Sequence, residues 1–216
     1  MADAPQIGPL VAALGAGVGK VTKEAARALQ NLAANNDANK VAIAEAGGIA
    51  PLVELLRGDS VGAKEDAVGA LYNLADNAAN RVAIAEAGGI APLVELVRGG
   101  SEGAKEYAAA TLSKLAVDKA NKVAIVEAGG IAPLIELARS GSALAKEMAA
   151  GTLHNLANND ANAAAIAAAG GLAPLEQLAR DGETWASEAL DAMRAAVEAQ
   201  AAAQAWRKQA WRKQAG

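Results

Sequence analysis

The sequence predicts an all-α chain, a solenoid of tandem helical repeats, on three observations. One long block recurs at a fixed period, each recurrence carries its own helix start and stop signals, and the apolar residues are nearly all aliphatic. The segment NKVAIAEAGGIAPLVELL from Asn39 returns as NRVAIAEAGGIAPLVELV from Asn80 and NKVAIVEAGGIAPLIELA from Asn121. A degraded copy, NAAAIAAAGGLAPLEQLA, starts at Asn162. Pro51, Pro92, Pro133 and Pro174 are evenly spaced, and Pro9 precedes Pro51 by one position more than that spacing, which places the extra residue in the turn at Asn35 and Asn36. A repeat of this length is one supersecondary unit that cannot bury its apolar face alone and stacks on its neighbours.

The signals within one unit divide it into three helices. Asn39 reads as the N-cap of a short helix over Lys40 to Ala46, stopped by Gly47 and Gly48, where a left-handed residue is needed. Pro51 suits the first turn of a second helix, since its missing N–H would have had no partner there, and that helix runs to Gly58. Ser60 reads as the cap of the third and longest helix. Ala67, Ala70, Leu71 and Leu74 form its buried stripe, at helical spacing.

Composition agrees. Hydrophobic residues make up 53% of the 216 residues while Phe is absent and aromatics reach 2%, so the core is built from Ala, Leu, Ile and Val, which suit closely stacked helices. Cysteine is absent, which removes disulfides, zinc ribbons and thiol nucleophiles. No uncharged apolar stretch approaches the roughly 18 residues of a membrane span, and the N-terminus has no basic leader region, so a soluble, cytoplasmic protein is expected. The net charge is −4, yet Arg207, Lys208, Arg212 and Lys213 all lie close to the C-terminus, which leaves the body more acidic still. Such a body attracts basic partners and offers no basic stripe for nucleic acid.

A short, a medium and a long helix in every period, with AGGIAPLVELL across the first turn and GALYNLA in the third helix, resembles the armadillo repeat. Two-helix HEAT repeats are the nearest competitor, but they do not call for a Gly-Gly break after a short first helix. The resemblance covers residues 1 to about 200 and implies a right-handed α-solenoid. Units are expected at 39–79, 80–120 and 121–161, with an N-terminal cap over 1–38, a C-terminal cap over 162–200 and a basic tail over 201–216. The N-terminal cap holds second-helix and third-helix patterns alone, and the last unit loses Glu and Leu at several matched positions; atypical ends are expected where terminal repeats present a polar outer face. The units are so alike, and the closing WRKQAWRKQA so plainly a pentad written twice, that a consensus-like or engineered chain is expected.

The resemblance also implies a site, a groove lined by third helices in which an Asn ladder holds the backbone of an extended peptide or partner protein. A side-chain amide both donates and accepts, as that role demands. The matching positions are Asn31, Asn73 and Asn155, with Lys114 breaking the ladder. One turn earlier, the nuclear-import members carry Trp; here Arg27, Gly69, Ala110 and Gly151 stand there, so their cation–π cage does not carry over. The repeats look closer to the vacuolar and U-box-linked armadillo proteins, without a U-box to imply ligase activity.

Comparison among the units themselves points to the same face. The first two helices are nearly copied, while the third-helix positions seven, four, one and zero before the ladder residue change freely. They read Glu24, Arg27, Gln30, Asn31; Asp66, Gly69, Tyr72, Asn73; Tyr107, Ala110, Ser113, Lys114; Met148, Gly151, His154, Asn155. Most lie beside the buried stripe, and Asn31, Asp66, Gly69, Tyr72, Asn73, Tyr107, Ser113, Lys114, Met148, Gly151, His154 and Asn155 are the candidate peptide-binding residues; solvated positions also vary where nothing constrains them, and an Asn there can simply bond the neighbouring repeat. Gly69 and Gly151 cost helix stability, which suits either a close backbone or a shallow groove.

No enzyme is expected, nor any cofactor or metal. GAGVGKVT at Gly15 to Thr22 fails the phosphate-loop pattern at Leu14 and Val21 and follows no strand. His154 is the only histidine, and Glu65 with Asp66 are ordinary first-turn charges. The tail is rich in helix formers and is expected to extend the last helix, with Trp206 and Trp211 on different faces; docking in a neighbour's groove is a hypothesis for it.

Overall fold

The computed structural model describes residues 4–16 and 19–214, and its described residues form helices and no strand. An initial pair, α1 (Ala4–Leu14) and α2 (Gly19–Ala33), precedes three triplets. These are α3 (Asp37–Glu45), α4 (Ile49–Arg57) and α5 (Val61–Leu74); α6 (Ala78–Glu86), α7 (Ile90–Gly99) and α8 (Glu102–Leu115); α9 (Lys119–Glu127), α10 (Ile131–Ser140) and α11 (Ala143–Ala157). A last triplet follows, α12 (Asp160–Ala168), α13 (Leu172–Arg180) and the long α14 (Thr184–Gln214). Like packs on like along the chain: α4, α7, α10 and α13 form one row, and α2, α5, α8, α11 and α14 another.

One apolar seam runs between the two rows. Leu52, Leu93, Leu134 and Leu175 fill it from the second helices, and the expected stripe of Ala67, Ala70, Leu71 and Leu74 faces them, all buried. The α8 and α11 copies of that stripe each carry a buried Thr whose hydroxyl is satisfied: Thr111 Oγ1 donates to Tyr107 O at 2.7 Å and Thr152 Oγ1 to Ala109 O at 3.0 Å. A buried hydroxyl without such a partner would be costly.

The capping residue of the first helices differs from expectation. Helix α3 starts at Asp37, ahead of the expected Lys40, and Asn36 Oδ1 accepts from Asn39 N at 3.0 Å; Asn77, Asp118 and Asn159 cap α6, α9 and α12 in the same way. The expected cap Asn39, with Asn80 and Asn121, lies inside the first turn and is buried. Asn39 Nδ2 donates to Leu32 O at 2.8 Å, Asn80 Nδ2 to Leu74 O at 3.1 Å and Lys40 O at 3.2 Å, and Asn121 Nδ2 to Leu115 O at 3.1 Å. The last carbonyls of a helix lack intrahelical partners, and here an amide of the following helix supplies one. Ser60, Ser101 and Ser142 cap the third helices, the first as expected.

The Gly-Gly break does two jobs. Gly47 takes φ 78°, closing α3 in the left-handed conformation, and Gly48 N donates to Ile43 O at 2.9 Å. A Cβ on Gly48 would stand 2.8 Å from Ile43 Cγ2 and 3.2 Å from Val11 Cγ2, so its missing side chain also lets α1 approach. The same pairs recur at Gly88 and Gly89, Gly129 and Gly130, and Gly170 and Gly171, with Val53, Val94 and Ile135 as the approaching side chains. Asn35, at φ 54°, takes up the extra residue in the expected turn. Of the rejected phosphate loop, Gly17 and Val18 lie outside the described residues, and Lys20 to Thr22 belong to α2.

Candidate functional site

The row of third helices presents one continuous face, and the ladder positions cross it in register. Asn31 is exposed on α2, while Asn73, Lys114 and Asn155 are half-buried between adjacent helices. Asn73 Nδ2 donates to Gln30 O at 3.0 Å, Lys114 Nζ to Tyr72 O at 3.0 Å and Asn155 Nδ2 to Ser113 O at 3.0 Å. Each reaches the residue just before its own counterpart one unit earlier. Lys114, which interrupts the ladder by type, thus makes the same inter-repeat bond as the asparagines. Each Asn retains its Oδ1 acceptor for another partner.

At the N-terminal end, Arg27 Nε meets Asp66 Oδ1 at 3.2 Å, and Asp66 Oδ2 is buried without a hydrogen-bond partner among the described residues. Gly69 is buried under Gln30, whose side-chain amide would overlap a Cβ there. The close group that Gly69 admits is therefore a side chain of the preceding repeat. Ala110 is buried as well.

In the middle, the Tyr72 and Tyr107 rings lie 5.7 Å apart, and Lys114 Nζ sits 3.3 Å from the Tyr72 ring centroid. Lys114 also pairs with Asp76 Oδ1 at 2.6 Å, while Lys40 holds Asp76 Oδ2 and Asp37 Oδ1, each at 2.9 Å. Burial opposes the charge on Asp76, but the hydrogen bonds from Lys114 and Lys40 outweigh it and hold its carboxyl below the usual range. The hydrogen bond to Asp76 raises the Lys40 ammonium above its ordinary value despite burial. Glu65 and Glu106 reach across to Ser101 and Ser142, the caps of the next third helices, the latter at 2.5 Å.

At the C-terminal end a cleft of ≈ 160 Å³ opens between α8, α11 and α14, lined by Ser113, Glu147, Met148, Gly151, Asn155 and Trp185. Unlike Gly69, Gly151 has room: a Cβ there would lie 3.5 Å from Ser113 Oγ and 3.8 Å from Trp185 Cδ1. The His154 ring packs 5.2 Å from Trp185, with Nδ1 3.5 Å from Glu188 Oε2.

The face and its repeat meet an independent finding. The model of the armadillo/beta-catenin-like repeat matches residues 36–76, 77–117 and 118–158. The chain belongs to the armadillo repeat family. An engineered protein of known crystal structure is 33% identical to this armadillo chain, with a TM-score of 0.82 over 90% of this chain and 81% of that one. A computationally designed armadillo repeat protein for modular peptide recognition is 31% identical, TM-score 0.81, over 87% and 82%. A designed armadillo repeat protein in complex with the peptide (KR)4 is 30% identical, TM-score 0.79, over 88% and 82%. No curated protein matches the chain.

Trp185 and Glu188 escape the sequence reading, although Trp185 stands one full period after Leu144 and so falls on a third helix. The link of Asp76 to Lys40 and Lys114 also escapes it, because its members come from three different helix ends. Among the described residues no cluster of His, Asp or Glu has the makings of a metal site, and no helix is long and apolar enough to cross a membrane. Helix α14 carries the tail to Gln214, with Trp206 and Trp211 both exposed.

Proposed function

We propose that this armadillo chain is a non-enzymatic scaffold that holds an extended, basic peptide across the third-helix face. The cleft at Trp185 carries the reading. There an indole, the Glu147 carboxylate and the Asn155 amide lie together beside a glycine that keeps the floor low. An indole face and a carboxylate are partners for a Lys or Arg side chain, and an amide is a partner for a peptide group. The designed neighbour for modular peptide recognition supports a peptide as ligand, and the one in complex with (KR)4 supports a basic one.

Fluorescence anisotropy of labelled (KR)4 tests it. Binding that weakens with salt is expected, as exposed charge pairs are screened. Trp185→Ala should weaken it about fivefold through lost cation–π contact. An unchanged affinity in Trp185→Ala would move the ligand off this cleft.

The bonds from Asn73 and Asn155 to the preceding repeats favour a second reading, a purely structural module with no natural ligand. No binding to a peptide array would select it. The exposed Trp206, Trp211, Arg207 and Lys208 on α14 offer a contact between copies, checked by light scattering before and after deletion of residues 205–216. An unchanged mass would remove that contact.

A further inference from the structure

The geometry points to two cation sites on the half of this face that runs from α2 to the middle helix α8, which the chain fills with its own side chains, Lys114 on Tyr72 and Arg27 on Asp66. A basic ligand enters that half only by displacing them. The inference rests on the peptide-binding reading above and deepens it by dividing the face into a self-occupied half and an open half.

Lys114 has the surroundings a ligand lysine would seek. Its ammonium lies 3.3 Å from the Tyr72 ring centroid, 2.6 Å from a carboxylate oxygen of Asp76 and 3.0 Å from the Tyr72 carbonyl. An aromatic face, a carboxylate and a carbonyl together are a lysine site, and the chain's own lysine is in it. Arg27 is the weaker occupant of its site. It reaches Asp66 by Nε alone at 3.2 Å, its side chain is 59% exposed, and Asp66 Oδ2 stays buried without a partner among the described residues. A guanidinium arriving with two N–H groups would satisfy both oxygens, which is the stronger arrangement.

The C-terminal half lacks such occupants. Met148 stands in the register of Asp66 and Asn155 in that of Lys114, so neither a buried carboxylate nor a lysine or arginine is at those positions, and the side chain resting on the Trp185 ring is the His154 imidazole. What remains is the open cleft at Trp185. Lys114 thereby determines where along the face a basic side chain is accepted.

Because Asn73 and Asn155 make the inter-repeat bond that Lys114 makes, Lys114→Asn removes the cation and keeps a donor for Tyr72 O. Labelled (KR)4 is titrated by anisotropy into the full chain, K114N, and K119N, which makes the same charge change at exposed Lys119 on α9. K114N should tighten binding about fivefold, the scale of a cation–π contact. K119N should change it by no more than about twofold, as for an exposed charge. In the unsubstituted chain, the ε-methylene protons of Lys114 should lie upfield under the Tyr72 ring and move downfield as (KR)4 saturates the face. R27Q, which keeps a donor for Asp66, should also tighten binding and replaces K114N if that variant fails to fold.

Equal affinities for K114N and K119N, or ε-methylene protons unmoved at saturation, would overturn the inference and leave the peptide-binding reading standing. Binding by K114N where the unsubstituted chain shows none would support it. Binding by none of the variants would overturn both.

Discussion

The row of second helices and the open face of the third helices obey opposite rules. In α4, α7 and α10 the same residues return because each fills one place in a shared seam; Leu52, Leu93 and Leu134 are all buried completely. On the third helices the corresponding positions hold Asp66, Tyr107 and Met148, or Asn73, Lys114 and Asn155. The comparison teaches that tolerance here is chemical more than steric. Lys114 keeps the inter-repeat bond of an Asn while changing the charge that the face presents. The seam thus fixes the frame, and the face is free to vary as long as one donor per repeat survives.

The strongest way to break that comparison is a cavity in the seam. Leu93→Ala should cost about 3 kcal/mol, read as a lower urea midpoint, because a buried leucine is lost among neighbours that cannot close in. A change below about 1 kcal/mol would mean that the repeats slide and the seam is not shared.

Asn80→Ala comes next. It strips the donor from both Lys40 O and Leu74 O at a buried site, so about 1–3 kcal/mol is expected from the same titration. Asn73→Ala removes one bond at a half-buried site and should cost less, about 0.5–1.5 kcal/mol. If Asn73→Ala proved as costly as Asn80→Ala, the face would be as constrained as the frame.

A smaller effect is read with pH. Asp76 is held below its ordinary value of 3.8, so the stability it contributes is present above that value and is lost as pH falls through its lower, folded value. Lys40 is raised above 10.5, so its contribution is present below that value and lost only as pH rises through the raised one. Melting temperatures followed down through pH 3.8 should fall less steeply in Asp76→Asn than in the unsubstituted chain. Parallel acid limbs would show that Lys40 and Lys114 do not hold this carboxylate ionised.

Much of the frame can be read from the sequence because its signals are local. Gly47 and Gly48, Ser60, and the stripe from Ala67 to Leu74 each act within one helix or its next turn, and each behaves as read. Asn39 departs from its expected role because the carbonyl it serves, Leu32 O, is exposed by the end of another helix, which local capping rules do not register. On the face, comparing repeats picks out the Tyr72, Tyr107 and Lys114 positions that the fold brings together. It misses Trp185 because the last unit reads as a cap, and no local signal foretells that Lys114 folds back onto its own chain.

The second glycine of each pair carries a consequence for assembly length. At Gly48, Gly89, Gly130 and Gly171 a single hydrogen stands where a methyl would meet the valine or isoleucine behind it, or the isoleucine of the short helix just before it. That contact gauges the step from one module to the next, and identical gauges make each step alike. An inserted copy of the module would therefore lengthen the row by one equal increment, and an alanine at one glycine would act as a shim, opening a single joint and tilting everything beyond it.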